Sequence, residues 1–114
     1  MNKRSVGAEY ERKAADYLVR AGYRLLERNY RCRAGEIDLI AMHGEYLVFV
    51  EVKYRADTGR GYGSEAVDDR KQKRIRKAAL WYLTERHITM EQPCRFDVIS
   101  FTADETELIQ NAFM

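Results

Sequence analysis

The chain has 114 residues, of which 46% are hydrophobic and 33% charged, with a formal net charge of +2 and two cysteines. That length suits one compact domain with an ordinary core, and no apolar run approaches the length needed to cross a bilayer. Cys32 and Cys94 lie far apart in sequence and form no metal-ligand cluster, which leaves buried free thiols and a disulfide both open, and no signal-like stretch follows Lys3 and Arg4, so a cytoplasmic protein is expected.

Residues 5–21 are predicted to form a helix, with Ser5 as N-cap and Gly22 as C-terminal stop. Ala8, Ala15, Leu18 and Val19 recur at helical spacing and are expected to face the core. Glu11 falls on the same stripe, so a carboxylate projects where an apolar side chain belongs; Glu9 and Asp16 do not. Three strands are predicted next, over Tyr23–Tyr30, Glu36–Met42 and Tyr46–Lys53, the last two joined by a tight connection at His43-Gly44-Glu45. Alternation puts Asp38 on the face of Ile40, opposite Ile37, Leu39 and Ala41. It puts Glu51 and Lys53 on the face of Leu47 and Phe49, opposite Val48, Val50 and Val52. Counted from the turn, Asp38 and Glu51 come near each other in an antiparallel pair.

Residues 54–67 read as a loop made permissive by Gly59, Gly61 and Gly63. A second helix is predicted from Asp68 to His87, capped by Asp68 or Asp69, with Ile75, Ala78, Ala79 and Tyr82 facing inward. Lys71 extends that stripe toward the sheet, and Gln72 lies beside it. Pro93 breaks the chain before a strand over Arg95–Phe101, and Glu107–Phe113 forms a last short strand or a docked turn. The order predicts an α/β fold, a small mixed sheet with helices packed on it.

The chemistry sits in Gly35-Glu36-Ile37-Asp38-Leu39-Ile40 and Val48-Phe49-Val50-Glu51-Val52-Lys53. An ionised carboxylate inside an apolar strand costs several kcal/mol unless something pairs with it. A divalent metal is one such partner. Mg²⁺ (or Mn²⁺) takes oxygen ligands and keeps several waters, so Asp38 and Glu51 with the Val52 carbonyl would suffice. Glu11 would complete the site directly or through water. Lys53 would orient a water or neutralise charge at phosphorus. The competing reading makes these edge-strand carboxylates paired with Lys53, Arg31 or Arg33; it accounts for one acid more easily than for Asp38, Glu51, Lys53 and an inward Glu11 together. Asp97 reads as structural, paired with Arg95 or a neighbouring strand. The segment Arg70–Lys77 carries six basic residues and no acid, which points to an anionic partner. Arg55, Arg60, Lys71, Lys73, Arg74 and Lys77, interleaved with Tyr54 and Tyr62, suit phosphates and exposed bases of a nucleic acid. Tyr17, Trp81 and Tyr82 read as core or rim packing. A phosphate-binding Gly-Lys-Ser/Thr ending is missing, which excludes a P-loop hydrolase.

These two segments, continued by Tyr54 and Arg55, resemble the YraN-like family of uncharacterised bacterial proteins. Gly7, Glu11, Ala14, Tyr17 and Leu18, then Gly22 and Asn29, Lys71-Gln72, Ala79 and Arg95-Phe96-Asp97-Val98 carry the resemblance along nearly the whole chain. That family is similar to the PD-(D/E)XK nucleases and, among them, to archaeal Holliday-junction resolvases. The resemblance implies a restriction endonuclease-like core and Mg²⁺-dependent cleavage of phosphodiesters, DNA above all, at branched or irregular structures. By position it assigns Asp38, Glu51 and Lys53 to the superfamily motif, with Ile37 where the motif's name has proline. Glu11 matches the acid of the first helix, and Gln72 a polar helix residue often found near such sites. It also implies a homodimer, as resolvase-like relatives cut two strands symmetrically. The alternatives are a nucleic-acid-binding protein of the same fold that does not cut, and an interaction module that binds neither metal nor nucleic acid.

Overall fold

The computed structural model describes residues 3–54 and 67–113, with the backbone alone for 3–6. The 54–67 loop and with it Arg55, Arg60 and Tyr62 lie, apart from Tyr54 and Val67, outside the described residues. The elements are α1 (Lys3–Arg20), β1 (Arg24–Cys32), β2 (Gly35–His43), β3 (Tyr46–Tyr54), α2 (Asp69–Glu85), β4 (Cys94–Phe101) and β5 (Thr106–Phe113). The five strands form one mixed sheet in the order β1-β2-β3-β4-β5. β1, β2 and β3 are an antiparallel meander; β3 and β4 are parallel, with α2 as the crossover; β5 returns antiparallel along β4. This is the expected α/β fold, consistent with a restriction endonuclease-like core, and the last segment is a full strand.

The helices cover opposite faces. Leu18, Ala14 and Ala15 of α1 join Leu39, Ala41, Val48, Val50, Ile99 and Phe101 in one cluster. Ile75, Ala78, Ala79, Tyr82 and Leu83 of α2 join Ile40, Leu47, Phe49 and Val98 in the other. Because both faces are covered, β3 and β4 read as near-continuous apolar runs. Every fully buried strand group must then be apolar or paired, and Asp97, 0% exposed, is paired. Arg95 meets both of its carboxylate oxygens at 2.9 Å, the Tyr23 hydroxyl donates to Oδ2 at 2.7 Å, and the Asn111 amide donates to Oδ1 at 2.9 Å. Asn111 has φ 53 and sits where the β4–β5 register shifts between Phe96 and Val98. The carboxylate satisfies an amide displaced by the bulge. Asp97 is therefore structural and bonded to Arg95, as the sequence suggests.

Several local expectations need correction. α1 starts by Lys3, so Ser5 lies within the helix rather than capping it. Its inward stripe includes Ala14, and Ala8 and Val19 are exposed, Val19 by 54%. The helix is rotated so that Tyr10, Ala14 and Tyr17 share the sheet side, since these cover more surface than Ala8 and Val19 would. Gly22 does stop α1: with φ 95 it lets the Tyr23 amide reach back to the Leu18 carbonyl at 2.9 Å. α2 ends at Glu85, and His87 takes the left-handed position of the same kind of stop, φ 56, with the Ile88 amide on the Leu83 carbonyl. Ile37 packs on the α2 side, away from Leu39 and Ala41. Strict alternation fails between Ile37 and Leu39, where β2 leaves the β3 ladder; Asn29 of β1, between the rungs to Leu39 and Ile37, has φ 54. Cys32 and Cys94 are both free thiols. No helix among the described residues is long and apolar enough to cross a membrane.

Candidate metal and nucleic-acid site

The β2–β3 ladder runs from His43↔Tyr46 to Leu39↔Val50 and stops. β2 continues, paired to β1 alone, through Ile37, Glu36 and Gly35. The next rung would have been Asp38↔Glu51. In its place the Asp38 carboxylate accepts the Val52 amide at 2.8 Å, a side chain standing in for a ladder carbonyl. The sheet forks here, and the fork is a cavity of about 260 Å³ lined by Glu11 of α1, Glu36 and Asp38 of β2, Glu51 and Val52 of β3, and Lys71 of α2. Sequence counting from the turn placed Asp38 and Glu51 together, and Glu11 was expected to point inward; the fold brings all three to one cavity.

Electrostatics follow from this crowding. Asp38 and Glu51 face the same cavity. Burial, then the Glu51 carboxyl beside it, as hydrogen-bond acceptor and as charge, push Asp38 up to about 9. Glu51 feels burial too, but its bond to Asp38 and the ammonium groups of Lys71 and Lys53 hold it below the usual carboxylate range. Lys71 Nζ lies 2.6 Å from Glu51 Oε2. This close ion pair is what meets the buried oxygen. Lys53 is pulled below the ordinary lysine range by burial and then by Lys71 beside it.

The donor set fits a hard divalent cation. Asp38 and Glu51 line one cavity with Glu11, and burial favours the protonated form of Asp38; a cation would displace that proton and compete with Lys71 for Glu51. Among the described residues no three His, Cys, Asp or Glu side chains gather as a ready-made ligand group. A Mg²⁺-like ion that retains waters does not need one.

Of the other residues singled out from sequence, Gln72 is turned elsewhere. Its amide donates to the Val67 carbonyl at 2.8 Å and accepts from Arg76 at 3.2 Å, tying the chain before α2 to the helix. Lys73 and Lys77 are exposed on α2. Arg74 lines a second cavity of about 670 Å³ with Arg31, Cys32, Gly35, Glu36, Lys71 and Ile75. Lys71 and Glu36 belong to both cavities, so they form one trough. Sequence pattern does not show that Lys71 pairs with Glu51, nor that Tyr10 lines the site. Tyr10 was legible in principle: it precedes Ala14 by four residues and Tyr17 by seven, one helical face. Trp81 is half-exposed and Tyr82 buried, as rim and core packing require.

The fold and site thus define a small α/β protein with an acid-and-lysine fork in a mixed sheet. Residues 10–101 match the uncharacterised protein family UPF0102, and the chain belongs to this family, the YraN-like proteins. It is 49% identical over 113 residues to a UPF0102 protein of Lachnoclostridium phytofermentans, covering 99% of this chain and 96% of the relative. Relatives from Aeromonas hydrophila and Persephonella marina, also UPF0102 proteins, are each 47% identical. They cover 96% and 94% of this chain, and 85% and 91% of their own.

Proposed function

We propose that this protein is a divalent-metal-dependent endonuclease that hydrolyses phosphodiester bonds of DNA, preferentially where the DNA is branched or irregular. The observation that carries the reading is the opposed Asp38–Glu51 pair at the fork, in one cavity with Glu11 and with Lys71 and Lys53 alongside. Asp38, Glu51 and the Val52 carbonyl would hold Mg²⁺ or Mn²⁺, with Glu11 reached directly or through water. The ion supplies polarisation of the scissile phosphate and a water of lowered pKa. The protein's own groups do the rest. The Val52 amide fixes the Asp38 carboxylate. Lys53, adjacent to both acids, orients the attacking water or neutralises charge building on phosphorus. Arg74 and Lys71 hold flanking phosphates along the trough, with Lys73 and Lys77 attracting the backbone from outside. A cytoplasmic location and a homodimer go with this reading, the dimer because symmetric cutting of two strands needs two sites; a monomeric mass at working concentration counts against it.

The second reading is a protein of the same fold that binds nucleic acid and does not cut. It is favoured by one observation, the Lys71 ammonium at 2.6 Å from Glu51, which already neutralises a would-be ligand. The deciding experiment is cleavage of labelled single-stranded, duplex, flap and four-way-junction DNA with Mg²⁺ or Mn²⁺, wild type against Glu51→Ala. Cutting by the wild type alone is expected. A folded wild type that binds junctions without cutting them selects the second reading.

A further inference from the structure

The fork opens onto an aromatic step that the carboxylates and lysines do not use. Tyr54, the last residue of β3, stacks on Tyr10 of α1 with ring centroids 4.3 Å apart and planes 30° apart. Tyr10 is seated in turn on Phe101, 5.1 Å away and buried. Lys13 Nζ lies 5.0 Å from the Tyr10 ring centre. Tyr10 is thus fixed from behind, while Tyr54 stays 45% exposed. A single exposed tyrosine at a strand end is unremarkable in a soluble protein. This one is backed by a second anchored ring, and both rings line the cavity that holds Asp38 and Glu51.

The trough therefore has two chemically different ends. At one end stand Arg31 and Arg74, in the middle the carboxylates and Lys71, and at the other the Tyr54–Tyr10 stack. Guanidinium groups suit phosphate, and a half-exposed ring suits the face of a base. Within a duplex each base face is covered by its neighbours. The ring is therefore reachable only by a base that has left the stack. We infer that Tyr54, held on Tyr10, is the stacking platform for an unpaired base flanking the scissile phosphate. The substrate is then a nucleic acid in which a single-stranded segment abuts the cut, and Tyr54 is the residue that discriminates it from continuous duplex. The platform's place beside a cut rests on the nuclease reading; the platform itself rests on the geometry of the trough.

The test uses binding, so it runs apart from cleavage. A short flap DNA and a matching single strand carry 2-aminopurine in the unpaired segment; a blunt duplex is the control. Quenching and anisotropy are read with Ca²⁺ or with EDTA. Wild type is expected to quench the probe and to prefer flap and single strand over duplex. Tyr54→Ala and Tyr54→Leu lose the quenching and bind the unpaired probes roughly tenfold more weakly, with duplex binding unchanged, whereas Tyr54→Phe behaves as wild type. Tyr54→Leu should retain an apolar contact on Tyr10, and a thermal melt alongside wild type checks that its fold is intact. Unchanged affinity and quenching in Tyr54→Leu would overturn the inference, as would a wild type that binds none of the probes. Quenching by a protein that cuts nothing keeps the platform and removes the nuclease reading alone.

Discussion

At the residue scale the chain spends its buried charge in two places, in opposite ways. Asp97 is saturated: Arg95, Tyr23 and Asn111 all bond to it, and the Gln110 amide reaches the Tyr23 hydroxyl at 3.0 Å. Glu51 instead stands opposite a second carboxyl, with a single ammonium, that of Lys71, 2.6 Å from its Oε2. The first pattern builds a fold; the second leaves two acids facing one cavity. The saturated network has a pH signature. Burial and the bond to Asp97 push Tyr23 up to about 12, against about 10 in an unfolded chain. The folded state therefore binds the proton more tightly, and this contribution to stability is whole below pH about 10 and is lost as pH rises toward 12. Urea unfolding at pH 8, 10 and 11 should show wild type losing stability over that window. Tyr23→Phe should lose about 1–3 kcal/mol at pH 8, because Asp97 forfeits a donor, and should show a flatter alkaline limb. A parallel decline in both proteins would refute the assignment.

Among the elements, α2 was the most legible. Asp68 does cap it, accepting the Lys71 amide at 2.8 Å, and Ile75, Ala78, Ala79 and Tyr82 are all buried as their spacing requires. The same cap presents Lys71 to Glu51, so the start of this helix belongs to both the fold and the site. Asp68→Ala should cost about 1 kcal/mol in urea unfolding and should also weaken any nucleic-acid binding that depends on Lys71. A stability loss with binding untouched would separate the cap from the site. In α1 the apolar spacing predicts a rotated stripe, because Val19 is the larger apolar residue and Ala14 the buried one; only the aromatic pair Tyr10 and Tyr17 indicates the true face. In β2 the spacing predicts regular alternation, and the change of face between Ile37 and Leu39, where the β3 ladder ends, leaves no mark in a period-two pattern.

For the whole molecule, the acids and the lysine of the fork were visible because carboxylates in apolar strands are costly and need a reason. What α2 brings to them was not visible, since Lys71 lies 20 residues from Glu51 in sequence and meets it only through the crossover. The opposed Asp38 and Glu51 carboxyls should give the molecule a response to metal. Mn²⁺ at a hundred times its dissociation constant should stabilise the folded chain by about 2.7 kcal/mol, read as a rise in Tm. Asp38→Asn should fold as well as wild type near pH 7, where Asp38 is protonated, and show no such rise. Equal rises in both proteins would place the ion elsewhere.

The fork also bears on how such a protein can be improved. Pairing β2 to β3 one rung further would satisfy the Val52 amide with a carbonyl, lengthen the ladder and give a more regular sheet. It would also take away the Asp38–Val52 bond and the gap in which both acids meet. Substitutions selected only for heat resistance should therefore drift toward zipping the strands shut, leaving a sturdier protein with nowhere to work.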